Sequence, residues 1–168
     1  MTDGFTIEAL SGAHHRTGFS SGVPELDRYF REFVSQDIKR RISNCFVALD
    51  GAGAVAAYYT LAATSLPLTE LPPEDTKRLP RYPLLPAGLI GRLAVDHRFR
   101  GQGLGSALII NAIDRSMRAE PAIVALVVDA KDETAASFYW HFGFRRFVSQ
   151  PMRLFMPIAE AARRHLSL

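Results

Sequence analysis

The stretch Arg98-Phe99-Arg100-Gly101-Gln102-Gly103-Leu104-Gly105-Ser106 decides how this chain is read, because it joins an apolar run, residues 88–95, to a segment of helical periodicity, residues 103–117. Glycines at a strand-to-helix junction let the backbone approach an anion and turn several amides towards it, while the helix N-terminus adds a partial positive charge. Arg100 adds a full one. The pattern predicts a diphosphate cradle built largely of main chain from Arg100, Gly101, Gln102, Gly103, Leu104, Gly105 and Ser106. Its spelling differs from two common nucleotide motifs: the Gly-Lys-Ser/Thr ending of a P-loop is missing, and G-x-G-x-G is not the G-x-G-x-x-G of a dinucleotide fold. A glycine turn that merely begins a helix uses the same letters, so the loop alone leaves that reading open.

Outward from the loop, the chain alternates strand and helix patterns. Residues 4–10 read as a short strand and 12–22 as a small, polar loop. Residues 24–39 read as one amphipathic helix, with Pro24 in its first turn, Glu25 and Asp27 at the positive end of the dipole, and Leu26, Tyr29, Phe30, Phe33, Val34 and Ile38 at helical spacing. Residues 45–49 and 54–61 form a predicted hairpin around 50–53. Six prolines in 66–87 predict a long surface excursion with one helical turn near 74–78. After the 103–117 helix, Pro121 is a break, 122–128 is a strand apolar enough to be buried on both faces, 132–142 is a helix, and 144–148 and 152–155 are closing strands. This order, β-α-β-β-β-α-β-α-β-β, predicts an α/β fold with a mixed central sheet flanked by helices.

The 168 residues, 48% hydrophobic and 22% charged, suit a single domain spanning 1–168. A net charge of +3 fits an anionic ligand but is weak for a dedicated nucleic-acid-binding domain. The lone cysteine, Cys45, excludes an intramolecular disulfide and reads as core packing, and the Cys and His spacing offers no metal site. His14, His15, His97 and His141 read as dispersed loop or surface residues, with His97 and His141 as outside candidates for a general base. No run approaches the roughly 20 apolar residues of a membrane span. The expectation is a soluble, cytoplasmic protein.

Here the sequence resembles the GNAT acetyltransferase family, whose acetyl-CoA loop is matched by Arg100, Gly103 and Gly105. Leu93-Ala94-Val95-Asp96 resembles its central strand, and Asp132, Ala135, Phe138, Tyr139, Gly143 and Phe144 resemble its second cofactor-contacting helix and the strand after it. The resemblance implies the GNAT fold, acetyl-CoA as cofactor, and contacts to it from Leu93, Ala94, Val95, Asp132 and Phe138. It also implies Tyr139 as the acid that protonates the departing thiolate. Asp132 departs from the asparagine common in the family, and a carboxylate cannot donate an amide hydrogen bond. Judged by residue type alone, Tyr139, Phe138 and Trp140 are packing aromatics.

Gly91–Asp96, Asp129–Asp132 and Phe19-x-x-Gly22-x-x-x-Leu26-Asp27-x-Tyr29 narrow the likeness to the GNAT toxins of bacterial toxin-antitoxin pairs. That branch implies an aminoacyl-tRNA substrate acetylated at its α-amine, a ribbon-helix-helix antitoxin as partner, and a homodimer. Lys39, Arg40 and Arg41, and Lys77, Arg78, Arg81 and Arg92 with Arg98 and Arg100, form two basic runs that would track a tRNA backbone or would simply be solvated surface. Arg92 stands out, since a charge in a strand needs a partner. An acetyltransferase for a small amine or protein N-terminus, and a non-catalytic acetyl-CoA-binding module, are the competing expectations.

Overall fold

The computed structural model describes residues 4–166. In chain order the main elements are β1 (Thr6–Ala9), α1 (Pro24–Arg28), a π-helical turn (Tyr29–Phe33), α2 (Val34–Lys39), β2 (Asn44–Leu49), β3 (Val55–Pro67), α3 (Pro73–Thr76) and β4 (Leu84–Val95). There follow α4 (Leu104–Met117), β5 (Ala125–Asp129), α5 (Glu133–Phe142), β6 (Arg145–Arg146), β7 (Arg153–Pro157) and α6 (Ile158–His165). The sheet order is β1-β2-β3-β4-β5-β7-β6, mixed because β4 and β5 run parallel while β5 and β7 run antiparallel. The described residues pack as two compact units, one drawn from residues 4–62 and 91–112, the other from residues 63–90 and 113–166.

In the first unit β2 pairs antiparallel with β1 and with β3, from Asn44↔Leu61 to Leu49↔Val55 with a bulge at Ala48/Leu49. The expected hairpin turn is closed by Asp50, whose carboxylate accepts from the amides of Ala52 and Ala54 at 3.0 and 2.8 Å. The helix predicted over 24–39 is present but interrupted. A π turn sends the Val34 amide to the Tyr29 carbonyl, so the Phe30 carbonyl that Val34 would meet in an α-helix is released, and Arg16 donates to it at 2.9 Å. The core beneath is aromatic. Phe30 stacks on Tyr58 with centroids 4.3 Å apart, Phe19 lies 5.0 Å from Phe30 and 5.5 Å from Tyr58, and Tyr29, Val34, Cys45, Val47, Val55 and Ala94 complete the cluster.

In the second unit the parallel pairing runs from Ala87↔Ala125 to Ile90↔Val128, and β5, buried at every position except Asp129, is the two-sided strand its composition predicts. Leu66, Leu71, Leu85, Val127, Phe147 and Phe155 anchor the core. Two expectations are corrected. The excursion predicted over 66–87 is shorter, because β3 continues to Pro67 and β4 begins at Leu84; proline is tolerated at strand ends, where no ladder donor is required. A C-terminal helix, α6, follows β7 directly and was not foreseen. Its buried residues, Ala161 and Ala162, lie on one face of an otherwise polar helix, an amphipathic pattern present in the sequence. The helical turn expected at 74–78 sits at Pro73–Thr76.

Phe30 is fully buried and in ring contact with two other aromatics, so Phe30→Ala is expected to lower unfolding free energy by about 3–5 kcal/mol, measured by urea denaturation.

Candidate functional site

The glycine loop is held from its upstream end by one buried carboxylate. Asp96, at the end of β4, is 0% exposed. It accepts from the Ser20 amide at 3.0 Å, from the Arg98 amide at 2.9 Å, and from Arg98 Nε and Nη2 at 3.0 and 3.1 Å. The bond to the Arg98 amide caps a short 3-10 turn over His97–Phe99, and the His97 amide donates to the Ser20 carbonyl at 2.9 Å. Burial works against ionising Asp96, but the Arg98 side chain, the Arg98 amide and the Ser20 amide together outweigh it and hold its carboxyl below the ordinary carboxylate range. In the sequence Asp96 stands only as the last residue of the strand motif; an aspartate immediately before a turn is the signal for its capping role.

From that anchor the backbone passes through Gly101 and Gly103 at φ +79° and +76°, a left-handed conformation that side chains disfavour. A Cβ built on Gly101 meets no atom within 4 Å, and Gly101, Gln102 and Gly103 are all exposed, so the loop is open to a ligand. Within α4 the first bond to a residue one turn back is Ala107 N to Gly103 O at 3.0 Å; the amides of Leu104, Gly105 and Ser106 precede it and have no acceptor inside the helix. Leu104, Leu108, Ala112 and Ile113 bury the other face of α4. The geometry fits an anionic diphosphate. Arg100 differs from expectation: its guanidinium donates to the Ser21 carbonyl, and a Cβ on Gly22, at φ +86°, would lie 2.9 Å from its Nη2. Ser21 is pinned in turn by buried Asp27, which accepts from its amide and hydroxyl at 2.9 and 2.6 Å.

Leu93, Ala94 and Val95 precede this loop on β4, with Ala94 in the aromatic core. Arg92 has found the partner its position demands. Its guanidinium carbon lies 3.5 Å from the centroid of the Tyr29 ring, a cation-π contact, and its amide donates to Thr60 Oγ1 at 3.1 Å. The Tyr29 hydroxyl donates to Asp37 at 2.6 Å. Burial first, then that hydrogen bond, raises the Tyr29 phenol well above its ordinary value, against the lowering charge of Arg92. Arg92 and Tyr29, with Glu25, Leu26, Arg28 and Phe33, line a cavity of about 310 Å³, which the sequence did not reveal.

In the second unit α5 carries the remaining site candidates. Asp132 is its N-cap, accepting from the Ala135 amide at 2.8 Å and pairing with Lys131 at 3.2 Å; those bonds, the amide first, hold its carboxyl below the usual range. Tyr139 is 6% exposed, edge-on to Phe144 at 5.7 Å, and its hydroxyl has no hydrogen-bond partner among the described residues. Burial, reinforced by the charge of Asp129, pushes its phenol up to about 12. The packing reading of its neighbours is corrected, because Trp140 is 58% and Phe138 37% exposed; residues either side of a buried helical position point outward.

Cys45 is buried in β2, and burial pushes its thiol up to about 12 despite Arg16, so it is protonated and unreactive at neutral pH. Of the histidines, His15, His97 and His141 are exposed, whereas the His14 ring turns inward to Glu8 at 3.0 Å. Lys39, Arg40 and Arg41 are exposed in the first unit, Lys77, Arg78 and Arg81 in the second. Arg98 is committed to Asp96. Among the described residues no cluster of His, Cys, Asp or Glu is arranged to hold a metal, and no helix is long and apolar enough to cross a membrane.

Comparison with known proteins agrees with this geometry. The acetyltransferase (GNAT) domain model matches residues 41–146. A tRNA-acetylating toxin of Mycobacterium tuberculosis is 35% identical over 154 residues, spanning 90% of this chain and 91% of its own. Among solved structures, AtaT complexed with acetyl-methionyl-tRNAfMet matches with a TM-score of 0.85 at 27% identity, over 93% of this chain and 96% of that one. AtaTR bound with AcCoA matches with a TM-score of 0.80 at 26% identity, over 96% and 98%.

Because the Asp96 carboxyl is depressed in the folded protein, its contribution to stability is complete above the unfolded value of ~3.9 and is lost as pH falls towards the lower folded value. Asp96→Asn removes that contribution, so the variant should be less stable at neutral pH and show a shallower further loss below about pH 4. Thermal midpoints between pH 7 and 3 check both; parallel profiles for the two proteins would exclude this role.

Proposed function

The chain belongs to the GNAT acetyltransferase family, and from that premise we propose that it transfers the acetyl group of acetyl-CoA to the α-amine of the amino acid on a charged tRNA, arresting translation. The observation that carries the donor half is the left-handed Gly101–Gly103 turn feeding the amides of Leu104, Gly105 and Ser106 at the start of α4. The acceptor half is supported by 35% identity to a tRNA-acetylating toxin across nine-tenths of both chains.

Acetyl-CoA supplies, when bound, a thioester whose carbonyl carbon the amine attacks. The main chain from Arg100 to Ser106 holds the diphosphate. The backbone of Leu93, Ala94 and Val95 aligns the pantetheine arm and offers an amide to the carbonyl oxygen as charge develops there. Phe138, exposed on α5, offers the cofactor an apolar face. Asp132 supports this helix as its cap, accepting from an amide where the family's asparagine would donate. A strong general base is unnecessary, since an adjacent ester draws the α-amine pKa below ~8. With the only cysteine buried and protonated, direct attack replaces an acetyl-enzyme.

Tyr139 is the proton donor to the departing sulfur. Complete transfer from a phenol near 12 to a thiolate whose conjugate acid is at ~8.5 would cost about 5 kcal/mol, more than an ordinary phenol would demand. The larger part of its effect is therefore the hydrogen bond to the sulfur as charge builds, with the proton following late.

The exposed Lys39, Arg40 and Arg41, and Lys77, Arg78 and Arg81, are the residues assigned to the tRNA backbone, while Arg92, stacked on Tyr29, is left to the acceptor end of the tRNA. The same reading gives the protein a cytoplasmic location, a ribbon-helix-helix antitoxin and a second copy of itself as partners, and one catalytic domain over residues 1–168.

Incubation with acetyl-CoA and a full set of charged tRNAs should yield N-acetyl-aminoacyl-tRNA; turnover on free amines alone would overturn the acceptor assignment. Tyr139→Phe should lower kcat by about 10²–10⁴-fold with acetyl-CoA affinity unchanged, and should relieve growth arrest on expression. Gly103→Val, which places a β-branched residue at φ +76°, should weaken acetyl-CoA binding at least about tenfold by calorimetry, with the circular dichroism spectrum retained.

A further inference from the structure

The cavity between α1, the π turn and β4 shares no lining residue with the segments assigned to acetyl-CoA. Its walls are the rings of Tyr29 and Phe33 and the side chain of Leu26, with Glu25, Arg28 and Arg92 completing the lining. Two guanidinium groups lie over ring faces, Arg92 3.5 Å from the centroid of Tyr29 and Arg28 5.3 Å from that of Phe33. Tyr29 is fixed by its bond to Asp37, and Arg28 by an ion pair to Glu32 at 2.8 Å. Phe33, by contrast, is 42% exposed. With the Tyr29 ring and Leu26 beside it, the uncovered Phe33 ring gives the cavity an apolar wall open to an apolar ligand group. The π turn is the device that places both rings on this wall, and π turns concentrate at functional sites.

Resting on the reading of the protein as an acetyltransferase of charged tRNA, we infer that this pocket receives the side chain of the amino acid whose amine is acetylated. Arg92 immediately precedes Leu93, Ala94 and Val95, so the pocket wall begins within about 10 Å, along the strand, of the backbone assigned to the thioester. That is the reach of one amino acid. The chemistry of the lining favours one class: apolar and aromatic side chains gain ring contact and lose water, whereas lysine or arginine would give up hydration against a mainly apolar wall whose one carboxylate, Glu25, is already opposed by Arg28 and Arg92. Phe33, at the mouth, sets the size limit. A stacked tRNA base fits less well, because one face of each ring already carries a guanidinium.

The test measures kcat/KM for tRNAs charged with alanine, methionine, phenylalanine and lysine, using labelled acetyl-CoA, with wild type, Phe33→Trp and Phe33→Ala. Acetyl-CoA affinity within twofold of wild type certifies that the variants are folded. Wild type should favour the uncharged acceptors over lysine by tenfold or more. Phe33→Trp should lower the phenylalanine-to-alanine ratio at least tenfold, and Phe33→Ala should raise it. An equal change for all four tRNAs would overturn the inference, since only the shared 3′-terminal adenosine could report that way. Unchanged selection in both variants would overturn it too, leaving the functional reading intact. Failure of wild type on every charged tRNA would remove that reading, and the pocket assignment with it.

Discussion

The buried carboxylate of Asp96 is the constraint on which the glycine-loop end of this molecule depends. A charge with no exposed surface is tolerated only when its lone pairs are occupied, and Asp96 occupies them with the Ser20 amide, the Arg98 amide and the Arg98 guanidinium. The same bonds tie the 19–22 loop to the end of β4 and set the direction in which the chain enters Gly101. The glycine amides are thereby ordered before any ligand arrives, which lowers the entropy lost on binding. Asp27 repeats the device one loop away, holding Ser21, whose carbonyl receives Arg100.

These commitments change the meaning of the basic sequence between Lys77 and Arg100. Three of its arginines already have work inside the fold: Arg92 on the face of Tyr29, Arg98 on Asp96, Arg100 on Ser21. The exposed cations that remain are Lys39, Arg40 and Arg41 in the first unit and Lys77, Arg78 and Arg81 in the second. Any electrostatic hold on a polyanion rests on these smaller groups, consistent with the modest net charge of +3.

Burial also sorts the acids and nucleophiles. Tyr139 and Cys45 are both pushed up to about 12 by desolvation, but the thiol is enclosed in an aromatic core, whereas the Tyr139 hydroxyl has no partner among the described residues. An unpaired hydroxyl on a nearly buried ring keeps its donor available. The same burial that makes Tyr139 a poor acid makes its hydrogen bond strong, because the local dielectric is low.

The letters of the sequence determined the strand and helix order from β1 to β7, the glycine loop, the buried Cys45 and β5, and the position of Tyr139 through its motif, because periodicity and turn chemistry are local properties. Arg92's need for a partner was also legible, though not that Tyr29 would be the partner. Only the tertiary structure decided the π turn in the first helix, the burial of Asp96, the diversion of Arg100, the exposure of Phe138 and Trp140, and the Phe33 pocket. Each of these depends on which residue far along the chain comes within a few ångströms: Arg16 reaching the Phe30 carbonyl, or Ser20 reaching Asp96. Such pairings are fixed by packing across the sheet and leave no repeat or spacing for a linear reading to detect.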